Sequence, residues 1–130
     1  MKIDANGTEI SVMGDGVNED AYISLTDIAK YKNPDNAFIV VANWMRNHST
    51  ISFLGLWEQI HNPNFKVVEL DNFRKSAGLP SFVLSASEWI ECTSAIGLVV
   101  KKGRYGGTYA HKDIAFEFGS AISVPFKLYL

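Results

Sequence analysis

Residues 98–112 read LVVKKGRYGGTYAHK, and the reading of this stretch decides the fold. LVVK and TYAH are rich in β-branched and aromatic residues, as strands require. Between them GRYGG supplies three glycines where a tight reversal needs them. The expectation is a β-hairpin with its tip at residues 103–107. Working backward, Ser85 and Glu88 have capping-box spacing for a helix over ASEWIECTSAI, stopped by Gly97. Working forward, KDIAFEF begins a last helix that ends near Gly119.

The same signals recur toward the N-terminus. KIDANGTEISVM alternates apolar and polar residues around Asn6-Gly7, which predicts a second hairpin with a two-residue turn. GDGVNED reads as a polar loop and AYIS as a short strand. Ser24, with Asp27 three residues later, predicts the start of a short helix over LTDIAK. Asn33 as cap and Pro34 in the first turn predict a second helix running to about Asn47. Ser49 or Thr50 caps a third, ISFLGLWEQI, broken by HNPNF. LDNFRKSAG reads as a helix closed by Gly78, and FVLS as extended. Two hairpins among five or six short helices define an α+β domain. The first two helices, joined by a brief polar connection, have the pattern of a helix-turn-helix.

The chain has 130 residues, one domain by length, and 47% hydrophobic residues suffice for a core. No apolar run approaches the roughly 18 residues of a membrane span, so no membrane partner is expected. The N-terminus lacks the apolar run of a secretion signal, and Cys92 is the single cysteine; a cytoplasmic protein is the expectation. The formal net charge of −2 hides an uneven distribution. Residues 1–20 hold one lysine against Asp4, Glu9, Asp15, Glu19 and Asp20. Residues 98–112 hold Lys101, Lys102, Arg104 and Lys112 and no acid. Such a local cationic patch is what an anionic partner needs, whatever the overall charge.

Catalytic chemistry finds little support. His48, His61, His111 and Cys92 are scattered without CxxC or HxxxH spacing, so no metal is expected and the histidines read as polar surface. Cys92 beside Glu91 is no activated thiolate. GRYGGT matches neither a Walker loop nor a dinucleotide fingerprint. The expectation is a protein that is not an enzyme, with no cofactor and no small-molecule substrate. Trp44, Phe53, Trp57, Phe65, Phe73, Trp89, Phe116 and Phe118 fall on apolar helical faces and read as core rather than as a base-stacking platform.

Several stretches together resemble the KilA-N domain of bacteriophage, bacterial and large-DNA-virus proteins. They are LTDIAK, FLGLWE, NPNF, the run from Trp89 to Gly97 with Thr93 and Ala95, and GRYGGTYAHKDIAFEF. The resemblance runs from about Tyr22 to the end of the chain. It implies a double-stranded DNA-binding domain related in fold to the fungal APSES domain, with a helix-turn-helix and a β-hairpin wing. LTDIAK would be its first helix, residues 36–47 its second and residues 101–109 its wing. Phage or mobile-element regulation is the implied setting. Relatives continue beyond the equivalent of KLYL into a variable domain, so a C-terminal region with a protein partner is also implied.

On this reading Lys101, Lys102 and Lys112 contact phosphates, which position the protein without specifying sequence. Arg104, flanked by glycine and Tyr105 at the tip, is placed to enter a groove. Tyr105 either meets a phosphate or sugar or packs on the hairpin. Asn43, Arg46 and Asn47 share a helix face by their spacing and suit adenine and guanine edges. Lys30 and Lys32 add backbone contacts near the turn. Three alternatives stand beside it: a protein-interaction module that has lost DNA binding, single-stranded nucleic-acid binding through exposed Tyr105 and Tyr109, and, last, a nuclease.

Overall fold

The computed structural model describes residues 2–5, 8–13, 21–103 and 106–122, with side chains from residue 9 onward. The described residues form an α+β arrangement of five strands and six helices: β1 Lys2–Ala5, β2 Thr8–Met13, β3 Tyr22–Ser24, α1 Leu25–Lys32, α2 Ala37–Met45, α3 His48–His61, α4 Val67–Ser76, α5 Ala86–Thr93, β4 Leu98–Lys101, β5 Gly107–His111 and α6 Lys112–Ala121. Two compact units divide it, one of residues 1–41 and 100–130, the other of residues 42–99.

The first unit is built on the sheet, whose strand order is β1-β2-β3-β5-β4. β1 and β2 pair antiparallel with Ala5 opposite Thr8, so two residues connect them, as the Asn-Gly signal predicts. Asn6 and Gly7 themselves lie outside the described residues, as does the GDGVNED segment. β3 pairs with β5, Tyr22 opposite His111 and Ser24 opposite Tyr109. Helices α1 and α6 pack on β5, with α1 also on β2 and α6 on β3. Ile10, Leu25, Ile28, Ala110, Ile114 and Phe118 have no exposed surface and form the apolar interior.

Ser24 caps α1 through Asp27 N–H at 3.0 Å. The Asp27 carboxylate has a role beyond the capping box: Oδ2 accepts the Ser11 N–H at 2.8 Å, tying the helix to β2. Asn33 differs from expectation. It is the C-cap of α1, its N–H donating to Ala29 O, and its Oδ1 accepts from Asn36 N–H at 3.1 Å. The proline turn is thus a connection, and α2 begins at Ala37.

The second unit packs α4 against both α3 and α5. Helix α3 starts at His48 with Asn47 in the cap position, so neither Ser49 nor Thr50 caps it. α4 begins earlier than LDNFRKSAG indicates, at Val67, and Gly78 follows it with φ +87°. Ser85 caps α5 through Glu88 N–H at 3.0 Å. α5 ends at Thr93, short of Gly97, because Ser94 takes a left-handed conformation with φ 61°. Trp44, Trp57, Phe65, Trp89 and Phe118 are buried, as core aromatics should be; Phe53, Phe73 and Phe116 are half-buried. Trp89 lies 5.7 Å from Phe65 and 5.9 Å from Phe73 between ring centroids.

Candidate nucleic-acid interface

The wing of the first unit is made by backbone constraints. Gly103 has φ +106°, a region side chains disfavour, and Gly106 N–H donates to Gly103 O at 3.0 Å. A Cβ on Gly106 would run into the carbonyl oxygen of Lys101, so the strands can approach here only without one. Lys101 and Lys102 are exposed on this turn and Lys112 is half-buried at the start of α6. Arg104 and Tyr105 lie outside the described residues. Tyr109 departs from expectation: at 7% exposure it is buried, and Lys101 Nζ stands 5.6 Å above its ring centroid. It supports a cation rather than offering a base-stacking face, which removes one of the two tyrosines behind single-strand recognition.

The wing's return strand is coupled to the first helix. Thr26 Oγ1 accepts the Thr108 N–H at 3.1 Å, so the first turn of α1 is held by β2 and by β5. Lys30 and Lys32 project from its last turn and are exposed; Lys30 Nζ also reaches Asp27 Oδ1 at 3.4 Å. His111 is 8% exposed rather than surface, and its Nδ1 accepts the Asp113 N–H at 3.2 Å to cap α6. The same nitrogen lies 3.5 Å from Asp113 Oδ2. A nitrogen that accepts the cap bond carries no proton for the carboxylate, so the cap belongs to the neutral ring.

In the second unit Asn43, Arg46 and Asn47 do come together, but on a corner rather than a helix face. Asn43 is in α2, Arg46 in the turn after it and Asn47 in the cap position of α3. Asn47 Nδ2 donates to Asn43 O at 3.3 Å. Arg46 Nη2 donates to Pro80 O at 3.0 Å, and Arg46 O accepts the Gly78 N–H at 3.1 Å. The three side chains and residues 78–80 line one open concavity. Sequence reasoning missed the 78–80 turn as part of this corner, since 34 residues separate Arg46 from Pro80 and no spacing rule connects them.

Motifs FLGLWE and NPNF meet the run from Trp89 to Gly97 around one buried carboxylate. Glu58, 1% exposed, accepts from Gly97 N–H at 2.6 Å, from Ile96 N–H at 2.9 and 3.2 Å, and from Asn62 Nδ2 at 2.9 Å. Asn62 Nδ2 also reaches Ser94 O at 2.9 Å. Lys66 N–H donates to Thr93 O at 2.9 Å. This node shapes the chain just before β4. Its one sequence signal is a glutamate beside Leu54 and Trp57 on the apolar side of α3.

Among the described residues no group of three or more His, Cys, Asp or Glu could hold a metal, and no helix is long and apolar enough to cross a membrane. No curated protein and no solved structure matches the chain. The family model described as the KilA-N domain matches residues 5–130, a span that takes in β2 as well as the stretch from Tyr22 onward. With the wing and the buried motif node inside that match, the chain belongs to the KilA-N family, a DNA-binding type of domain.

Proposed function

We propose that residues 1–130 act as one domain that binds double-stranded DNA without catalysing a reaction on it, in a regulatory protein of a phage or mobile element. The observation that carries this reading is the exposed Lys101–Lys102 pair on a glycine-built turn, in a stretch without acids and in a KilA-N chain. Lysines there neutralise phosphates and release counterions, which gives affinity that falls with salt. Lys101, Lys102 and Lys112 contact the backbone; Arg104 enters a groove, with Tyr105 against phosphate or sugar. Tyr109 acts from beneath, holding Lys101 in place. Lys30 and Lys32 add phosphate contacts from α1, while Asn43 and Asn47 meet base edges from the corner that Arg46 braces.

The test is fluorescence anisotropy with a labelled random-sequence duplex at two salt concentrations. Wild type should weaken with salt along a log–log slope of about −0.9 per phosphate contacted. The double substitution Lys101→Ala, Arg104→Ala should lower affinity at both salts and flatten the slope by about 0.9, the share of the one phosphate that Lys101 contacts. Unchanged binding by a folded double variant would refute the wing. A second reading, a protein-interaction module, draws on Leu56, Ile60 and Val68, which are 57%, 68% and 72% exposed on α3 and α4. It is favoured if wild type binds no duplex at low salt.

A further inference from the structure

The corner between α2 and α3 carries more information than a general DNA contact. Its lining is Asn43, Arg46, Asn47, Gly78, Leu79 and Pro80, with no acidic side chain. Arg46 is half-buried and spends one guanidinium N–H on Pro80 O, while its own carbonyl holds Gly78 N–H. These two bonds fix the 78–80 turn against the corner and hold the guanidinium beside it. The turn presents Leu79, 54% exposed, an apolar side chain among polar neighbours. Asn43 is exposed, and among the described residues its side-chain amide makes no hydrogen bond. Asn47 gives one amide N–H to Asn43 O and keeps its carbonyl oxygen.

An unspent amide offers one donor and one acceptor side by side, the pattern that matches adenine N7 and N6. An exposed leucine cannot bond to a guanine or cytosine edge, but it gains by covering the thymine C5-methyl. Both groups therefore select the same kind of base pair. We propose that this corner reads A·T pairs in the major groove, Asn43 on the adenine and Leu79 on the thymine methyl, with Arg46 a positioning residue for the 78–80 turn. The inference rests on the DNA-binding function proposed above and adds the base it selects.

The test uses the full chain and competition against a labelled random duplex. The competitors are an alternating A·T duplex, the same duplex with uracil for thymine, and the same with 7-deazaadenine for adenine. Uracil lacks the methyl and should weaken wild-type binding about fourfold per thymine covered. Deazaadenine lacks the N7 acceptor and should weaken it about 2- to 10-fold. Leu79→Ala should lose the response to uracil alone, and Asn43→Ala the response to deazaadenine alone; both side chains are exposed, so the fold should hold. Arg46→Ala should lose the uracil response, whereas Arg46→Lys, which can still donate to Pro80 O, should keep it. If wild type binds the random duplex yet ignores both base changes, or if the variants respond as wild type does, the A·T reading is overturned and DNA binding stands. If wild type binds no duplex, both fall together.

Discussion

Replacing Glu58 with alanine deletes the acceptor for three donors at once. Gly97 N–H is buried and gives the shortest bond, 2.6 Å, so its loss should cost the larger part of the roughly 1–3 kcal/mol of an unsatisfied buried donor. Ile96 N–H is part-buried and water can partly replace its partner; about 1 kcal/mol is a fair share. Asn62 Nδ2 keeps its bond to Ser94 O, so its contribution is smaller. Together these give a loss of about 3 kcal/mol, a large fraction of the roughly 5–15 kcal/mol that holds a domain folded. Glu58→Gln should cost nearly as much despite equal size, because one amide nitrogen must then face an N–H donor. The assay is urea unfolding followed by tryptophan fluorescence, comparing midpoints at constant slope. A loss below about 1 kcal/mol for both variants would refute the assignment of Glu58 as the keystone of the motif node.

Further substitutions probe other parts of the argument. Gly106→Ala forces a Cβ into the Lys101 carbonyl, so it should distort the wing and weaken duplex binding at least as much as Lys101→Ala, read by anisotropy; equal binding to wild type would show that the strands can part there. Ser24→Ala removes the α1 cap and should cost about 1 kcal/mol by urea denaturation, and Ser85→Ala should cost about the same at α5. No loss in either would mean that water serves those N–H groups equally well. Trp89 is fully buried and its Nε1 is the buried side-chain atom without a partner among the described residues. Trp89→Phe relieves that penalty while opening space, so it should cost less than the roughly 3–5 kcal/mol of Trp89→Ala by the same measurement.

Features set by neighbours within four residues were legible in the amino-acid types. Ser24 and Ser85 cap the helices their spacing announces, β1 and β2 pair antiparallel on either side of Asn6-Gly7, and the wing strands flank the glycine cluster. Each depends on backbone geometry and a local donor or acceptor, and residue identity states both. Family motifs carried the family for the same reason: the residues are visible in order whether or not their partners are. What each motif residue does was not visible. Glu58 is 39 residues from Gly97, Arg46 is 34 from Pro80, and Thr26 is 82 from Thr108. No periodicity links such pairs; only the folded chain brings a carboxylate to two distant amides, or a guanidinium to a proline carbonyl. Tertiary structure also moved boundaries that propensity had drawn. Asn33 became the end of α1, its N–H donating to Ala29 O, with α2 starting only at Ala37, and α5 stopped early at the left-handed Ser94. Tyr109 became a buried support for Lys101 because β5 lies between β3 and β4, where its side chain is covered. The sequence determined which elements form and that a cationic wing exists; the tertiary structure decided which side chains remain free to meet a ligand, since that depends on partners far away along the chain.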